Sequence, residues 1–218
     1  MMRYFLDMNL PIYFCMQIGH SLEKKAKLFI ENKNDSFFLL CDYIVSRNLP
    51  RWLKRQKVIL FEFNQKIQDQ SYNLFSSEQS KILFQKDKIF ANRLLLSYNQ
   101  SKDKKQFVEN INQIFNLLQA RISYFIKNYI DEVVIPESKI DFKLKSCLFT
   151  WLRNDSDVRT IASAIQEHSN KKLTIITADK KDWTNELLKE VHNDTRLSKD
   201  YPSLPKIEYL QNYLPKSH

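Results

Sequence analysis

The chain has 218 residues, 43% of them hydrophobic and 13% aromatic, and a formal net charge of +9 at pH 7; that is enough apolar material for a core, at a length suiting one medium domain or a small domain with an insertion. Its one glycine, Gly19, excludes the GxGxxG and GxxxxGKS/T nucleotide loops, which need glycine where the backbone approaches phosphate. Three cysteines, Cys15, Cys41 and Cys147, form no CxxC, which argues against a disulfide scaffold or a thiolate zinc site and fits a reducing cytoplasm.

No apolar run reaches the length needed to span a bilayer, about 18 residues. The opening MMRYFLDMNLP is interrupted by Asp7 and does not read as a signal peptide. The positive balance suits an anionic partner, nucleic acid above all. A lysine- and asparagine-rich composition inherited from an AT-rich genome accounts for it equally well, because the lysines are scattered.

Arg3–Leu6 reads as a short buried strand ending at Asp7-Met8-Asn9. Open α/β sheets place functional groups at the carboxyl ends of such strands; alternatively, Asp7 or Asn9 caps the next helix. Pro11 to Glu31 contains the first helix, with Leu22, Ala26, Phe29 and Ile30 on one face. Asn32–Asp35 is a turn. Phe37–Val45 (FFLLCDYIV) reads as the second strand, with Asp42 a residue of its end, and Ser46–Pro50 breaks it.

Lys57–Phe63 could be a strand by its β-branched and aromatic content, but its flanks suit a helix, and it is read as helix. Glu62 has apolar neighbours in Ile59, Leu60, Phe61 and Phe63. A carboxylate held among them needs a partner, a cation or a water-filled cleft, unless it points to solvent. Ser76 to Tyr98 is helical, with Ile82, Ile89 and Leu96 seven apart and taken as core. Phe107 to Tyr129 is the clearest helix, its apolar residues recurring at three and four. The two are expected to pair as a helical hairpin, carrying Lys81, Lys86, Lys88, Arg93 and Arg121 outward.

Glu132–Pro136 is extended. Ile140 to Leu152 is helical, with Leu144, Leu148 and Trp151 facing inward. Asp155 and Asp157 precede a helix whose apolar face is Ile161, Ala162, Ala164 and Ile165. Leu173–Thr177 is a buried-type strand that runs into Thr177-Ala178-Asp179, with Asp182 and Trp183 just beyond. A helix over Glu186 to His192 and a strand over Ile207–Leu210 follow. Strands alternating with helices predict an α/β fold, a Rossmann-like parallel sheet with helices on both faces. Asp7 and Asp179 then leave strands at one carboxyl edge, and Asp157 opens a helix there.

Carboxylates gathered in this way repel. Two unit charges about 4 Å apart cost on the order of 4 kcal/mol at an effective dielectric near 20. Shared protons offset this; so does Mg²⁺ or Mn²⁺, which prefers carboxylate oxygen. His20, His168, His192 and His218 show no paired spacing, which makes zinc a poor fit and surface roles the simpler reading.

LDMNLPIYF (Leu6–Phe14) resembles the opening of PIN-domain ribonucleases, in which a strand ends in Asp with Asn two places later. DVRTIASAI (Asp157–Ile165) resembles their third acidic helix. LTIITADKKDW (Leu173–Trp183) resembles their last site strand, with Thr-x-Asp and a later Asp before an aromatic. The resemblance covers about the first fifteen residues and 155–183. It implies a PIN-like sheet that binds Mg²⁺ or Mn²⁺ in an acidic cluster and cuts RNA.

Carried onto this sequence, the resemblance gives Asp7, Asp157 and Asp179 as metal ligands, with Asp182 joining or supporting them. Thr177 and Asn9 would orient carboxylates or water. Glu62 is the candidate for the family's second acid; Asp155 competes with Asp157, and the alignment of Ala164-Ile165 decides for Asp157. Arg159, Lys180 and Lys181, beside the acids, could hold the phosphate backbone. The chain would be a single PIN-like domain over 1–218, exceeding compact members by a helical insertion at about 71–140. Partners implied are RNA, an antitoxin or other protein, and a second copy in a homodimer. A structure-specific DNA nuclease and a non-catalytic nucleic-acid-binding or partner-binding module are the alternatives.

Overall fold

The structure, a computed structural model, describes residues 1–32, 35–195 and 197–213. Strands β1 (Met2–Leu6), β2 (Ser36–Cys41), β3 (Glu132–Val134), β4 (Thr174–Thr177) and β5 (Lys206–Tyr209) form a five-stranded sheet in the order β3-β2-β1-β4-β5. Every pairing is parallel. Helices α1 (Asn9–Met16), α2 (Ser21–Glu31), α3 (Leu49–Gln68), α4 (Gln85–Gln100), α5 (Lys104–Tyr129), α6 (Phe142–Phe149), α7 (Asp155–Asn170) and α8 (Asn185–Asn193) complete the order. This is the α/β fold that the alternation predicts, with helices packing around the sheet. Among the described residues no helix is long and apolar enough to cross a membrane.

The chain divides into two compact units. Met1–Leu49 with Ile122–His218 contains the sheet; Pro50–Arg121 is helical. The helical unit thus begins with α3 and ends inside α5, where the sequence suggested 71–140.

In the first unit β1 is the central strand. Tyr4, Phe5 and Leu6 are buried, as both-face burial of a central parallel strand requires. The chain leaves β1 towards β2 and leaves β4 towards β5, in opposite directions along the sheet. The carboxyl ends of β1 and β4 therefore flank the switch point at which open α/β sheets form a crevice.

Helix α7 is tied at its far end to the start of β1, where the Arg3 guanidinium meets Glu167 at 2.8 Å and the Lys171 carbonyl at 3.3 Å. Its first turn consequently lies at the opposite, carboxyl edge. Asn48 fixes that turn by donating its side-chain amide to Ser156 Oγ at 2.7 Å. Val158, Ile161, Ala162, Ala164 and Ile165 bury the face that makes this placement favourable.

Several local expectations change. The helix expected over 11–31 is two helices. Gln17 at φ 48° and Gly19 at φ 90° break it, and His20 caps α2 through Nδ1. Strand β2 ends at Cys41, not Val45, and Asp42 accepts the Glu137 N–H at 3.0 Å just beyond it. Ser46–Pro50 is no break; Ile44–Asn48 is a π-helical turn leading into α3. Pro50 has no N–H to give, so a widened turn upstream of it costs little. Trp151 is 55% exposed, because α6 ends at Phe149 and Leu152 turns inward instead.

In the second unit, Phe63 meets the Tyr98 ring edge-on at 6.1 Å, and Phe90 stacks on Phe115 at 6.4 Å. A buried ion pair joins Arg55 to Asp87 at 2.9 Å. The expected α4 stripe is displaced: Leu83, Ala91 and Leu94 are buried, while Ile82, Ile89 and Leu96 are exposed.

Candidate functional site

The Asp7 N–H donates to the Ile176 carbonyl at 2.9 Å, one residue past the end of β1. That bond carries the ladder to the sheet edge and sets the Asp7 side chain beside Thr177. Asp7 Oδ2 accepts from Thr177 Oγ1 at 2.8 Å and from Asn9 Nδ2 at 2.7 Å. The Thr177 hydroxyl accepts in turn from the Asp179 N–H at 2.9 Å. Thr177 is fully buried and Asp7 is 5% exposed. Asn9 and Thr177, expected to orient carboxylates, are both bonded to Asp7.

Asp179 begins a tight turn. Its Oδ1 accepts from the N–H groups of Lys181 at 2.8 Å and Asp182 at 3.0 Å, as short acidic side chains do at turn starts. The turn aims the chain so that Trp183 is buried. Trp183 Nε1 donates to Asp157 Oδ1 at 3.3 Å, and the Asn154 amide donates to Asp157 Oδ2.

Asp155 and Asp157 part company on α7. Asp155 takes Arg159 in an ion pair at 2.7 Å; Arg159 also reaches Glu137 at 3.3 Å and lies over the Tyr43 ring. Arg159, expected to hold phosphate, is occupied instead by a carboxylate pair and an aromatic face. Lys180 lies over the Tyr209 ring and donates to Asn212 Oδ1 at 3.4 Å.

Electrostatics link the acids. Burial pushes the Asp7 carboxyl up to about 7; the bond from Thr177 opposes this, the charge of Asp157 adds to it, and the bonds from Asn9 and the Met8 backbone oppose it. No basic side chain is among these influences. Burial also pushes Asp157 up; the Trp183 bond opposes that, Asp179 and Asp182 add to it, and the Asn154 bond opposes it. Asp7, Asp157, Asp179 and Asp182 therefore share one electrostatic environment. Among the described residues, however, no three His, Cys, Asp or Glu side chains converge into a group that could hold a metal ion.

Glu62 belongs to the second unit and is fully buried there. Its carboxylate accepts from Tyr72 Oη at 3.2 Å, the Phe75 N–H at 2.6 Å and Ser77 Oγ. These donors answer the sequence-level question of what a carboxylate among apolar neighbours needs. The role shown for Glu62 is to anchor the loop after α3.

Sequence reasoning passed over Tyr13, one turn beyond Asn9 on α1. Its phenol is raised from its ordinary value by burial first, then by Asp7, Asp179 and Glu23. The Asn9–Tyr13 spacing of four was the available signal. Fold and site together define an α/β protein with carboxylates at the carboxyl edge of its central strand β1 and the neighbouring β4. Comparison with family models, curated proteins and solved structures found no match for this chain.

Proposed function

We propose that the first unit is a metal-dependent endoribonuclease of PIN type, cutting RNA phosphodiester bonds at the crevice between β1 and β4. The observation that carries this reading is Asp7: a buried carboxylate at the switch point, held by Thr177 and Asn9 and repelled by Asp157, with no basic side chain among the main influences on it from the described residues. A divalent cation relieves that arrangement.

The donor set suits Mg²⁺ or Mn²⁺, since carboxylate oxygens are their preferred ligands. Mg²⁺ is commonly bound through one or two carboxylates and keeps several waters, with substrate phosphate completing its shell. Three converged side chains are therefore not required. Of the three expected ligands, Asp7 and Asp157 would hold the ion, with Asp179 and Asp182 adding negative charge beside Asp157. The ion would make a bound water more acidic and neutralise charge on a phosphoryl oxygen.

The chain's own residues do the rest. Thr177 and Asn9 orient Asp7, and Trp183 and Asn154 orient Asp157. The Asp7 carboxyl stands at about 7 without the ion, so holding the ion would displace its proton. Lys180 and Lys181, exposed on the turn beside Asp179, would attract the phosphate charge.

The test is RNA cleavage with Mg²⁺ or Mn²⁺ by wild type and Asp179→Asn, alongside a DNA substrate. Cleavage of RNA by wild type, lowered in the variant, is the expected result. Equal activity, or none in either, sinks the mechanism, and preference for DNA moves the site to the DNA-nuclease reading. The lack of a converged trio among the described residues favours one rival, a nucleic-acid-binding module without turnover. Metal-independent RNA binding with no cleavage would establish it.

A further inference from the structure

The His20 ring stacks on Tyr13 at a centroid separation of 4.8 Å and an interplanar angle of 25°. Tyr13 is half-buried and His20 exposed. Tyr13 stands one turn along α1 from Asn9, whose amide holds Asp7. The stack therefore stands on the helix that leaves the Asp7 end of β1, and its outer ring, His20, is exposed.

The outer ring is fixed. His20 Nδ1 accepts the Leu22 N–H at 3.2 Å as the cap of α2, which sets the imidazole before anything binds. Beside it Gly19 has nothing within 4 Å of where a Cβ would stand. One turn further, Lys24 is exposed on α2. A preset aromatic face, open space next to it and a nearby ammonium group match the needs of one unpaired nucleotide. Its base would lie on the ring and its phosphate near the lysine.

We infer that Tyr13 and His20 form a stacking shelf for an unpaired nucleobase beside the acidic crevice. The inference rests on the nuclease reading for its meaning but is tested apart from it. Duplex bases are unavailable to such a shelf, because their faces are covered by their neighbours.

The test is binding without metal, in EDTA, of a short labelled oligouridylate, the same oligomer with abasic sugars, and a duplex of equal length. The proteins are wild type, Tyr13→Ala and His20→Asn. Asn caps helices well, so His20→Asn removes the ring and keeps the cap, with thermal unfolding as the check on folding. Expected is tight binding of the oligouridylate by wild type. His20→Asn, or the abasic sugars, should weaken it about 5- to 150-fold, the range for one lost base stack. Equal binding of abasic and base-bearing oligomers, or of wild type and His20→Asn, overturns the shelf, as does failure of wild type to bind. Base-dependent binding without cleavage in Mg²⁺ or Mn²⁺ would sink the nuclease reading and leave the shelf standing. Cleavage with no base dependence would do the reverse.

Discussion

Asp7 is the residue at which physical chemistry and proposed chemistry meet. Its folded pKa of about 7 lies above the ordinary 3.8, so between about pH 4 and pH 7 the folded chain holds a proton that the unfolded chain has lost. Stability must fall as pH rises through that window. The gap of about three units corresponds to an upper figure of about 4 kcal/mol. Asp7→Asn removes the ionisation, and its amide oxygen can still accept from Thr177 and Asn9. Denaturant unfolding at pH 5 and pH 8 should therefore show the variant gaining stability on wild type at the higher pH, with RNA cleavage abolished. A variant no more stable than wild type at pH 8 would contradict the raised pKa. Thr177→Val deletes the hydroxyl that serves both Asp7 and the Asp179 N–H. A loss of about 1–3 kcal/mol is expected, and a carboxyl-resolved NMR titration should show the Asp7 pKa rising further. An unmoved pKa would mean the hydroxyl does not support the charged form.

At the scale of elements, helix existence was legible but not always which face is covered. The period in Phe107 to Tyr129 marked α5 because its apolar residues recur at three and four. Ile82, Ile89 and Leu96 misled because a spacing of seven fits two adjacent faces, and the buried one follows Leu83, Asp87, Ala91 and Leu94. Glu62 shows a related limit. Local sequence shows that a carboxylate on α3 needs partners, but the Phe75 and Ser77 donors arrive on a loop whose path the sequence does not reveal. Glu62→Gln replaces an acceptor by an amide N–H that faces a donor. It should destabilise the helical unit by about 1–3 kcal/mol, read by circular dichroism in denaturant. Metal titration of the same variant should match wild type; a lost metal affinity would return Glu62 to the acidic site.

At the scale of the whole molecule, the charge of +9 bears on association. If it serves RNA, affinity must fall with salt as counterions are released. A chain contacting about three phosphates of a single strand loses roughly 20-fold for about a fourfold rise in salt. Fluorescence anisotropy across a salt series reads this directly, and a flat response would assign the charge to composition alone. The division into Pro50–Arg121 and the remainder is a whole-molecule feature as well. The sheet unit contains Asp7, Asp157, Asp179 and Asp182; the helical unit has its own aromatic core around Phe63 and Phe90.

The sequence alone determined the alternation of strands and helices, and the exits of Asp7 and Asp179 from strand ends. Both depend on local hydrophobic period and on short apolar runs, which neighbouring residues encode. Only the tertiary structure decided that β1 and β4 are neighbours with a switch point between them, because strand order is a long-range pairing that no local pattern specifies. The resemblance had already preferred Asp157 to Asp155, but only the tertiary structure gave each its partner, Trp183 for Asp157 and Arg159 for Asp155, because the Trp183 ring arrives from more than twenty residues away. It likewise gave Tyr13 and His20 their places, because a ring becomes a surface only once the chain on either side has chosen its direction.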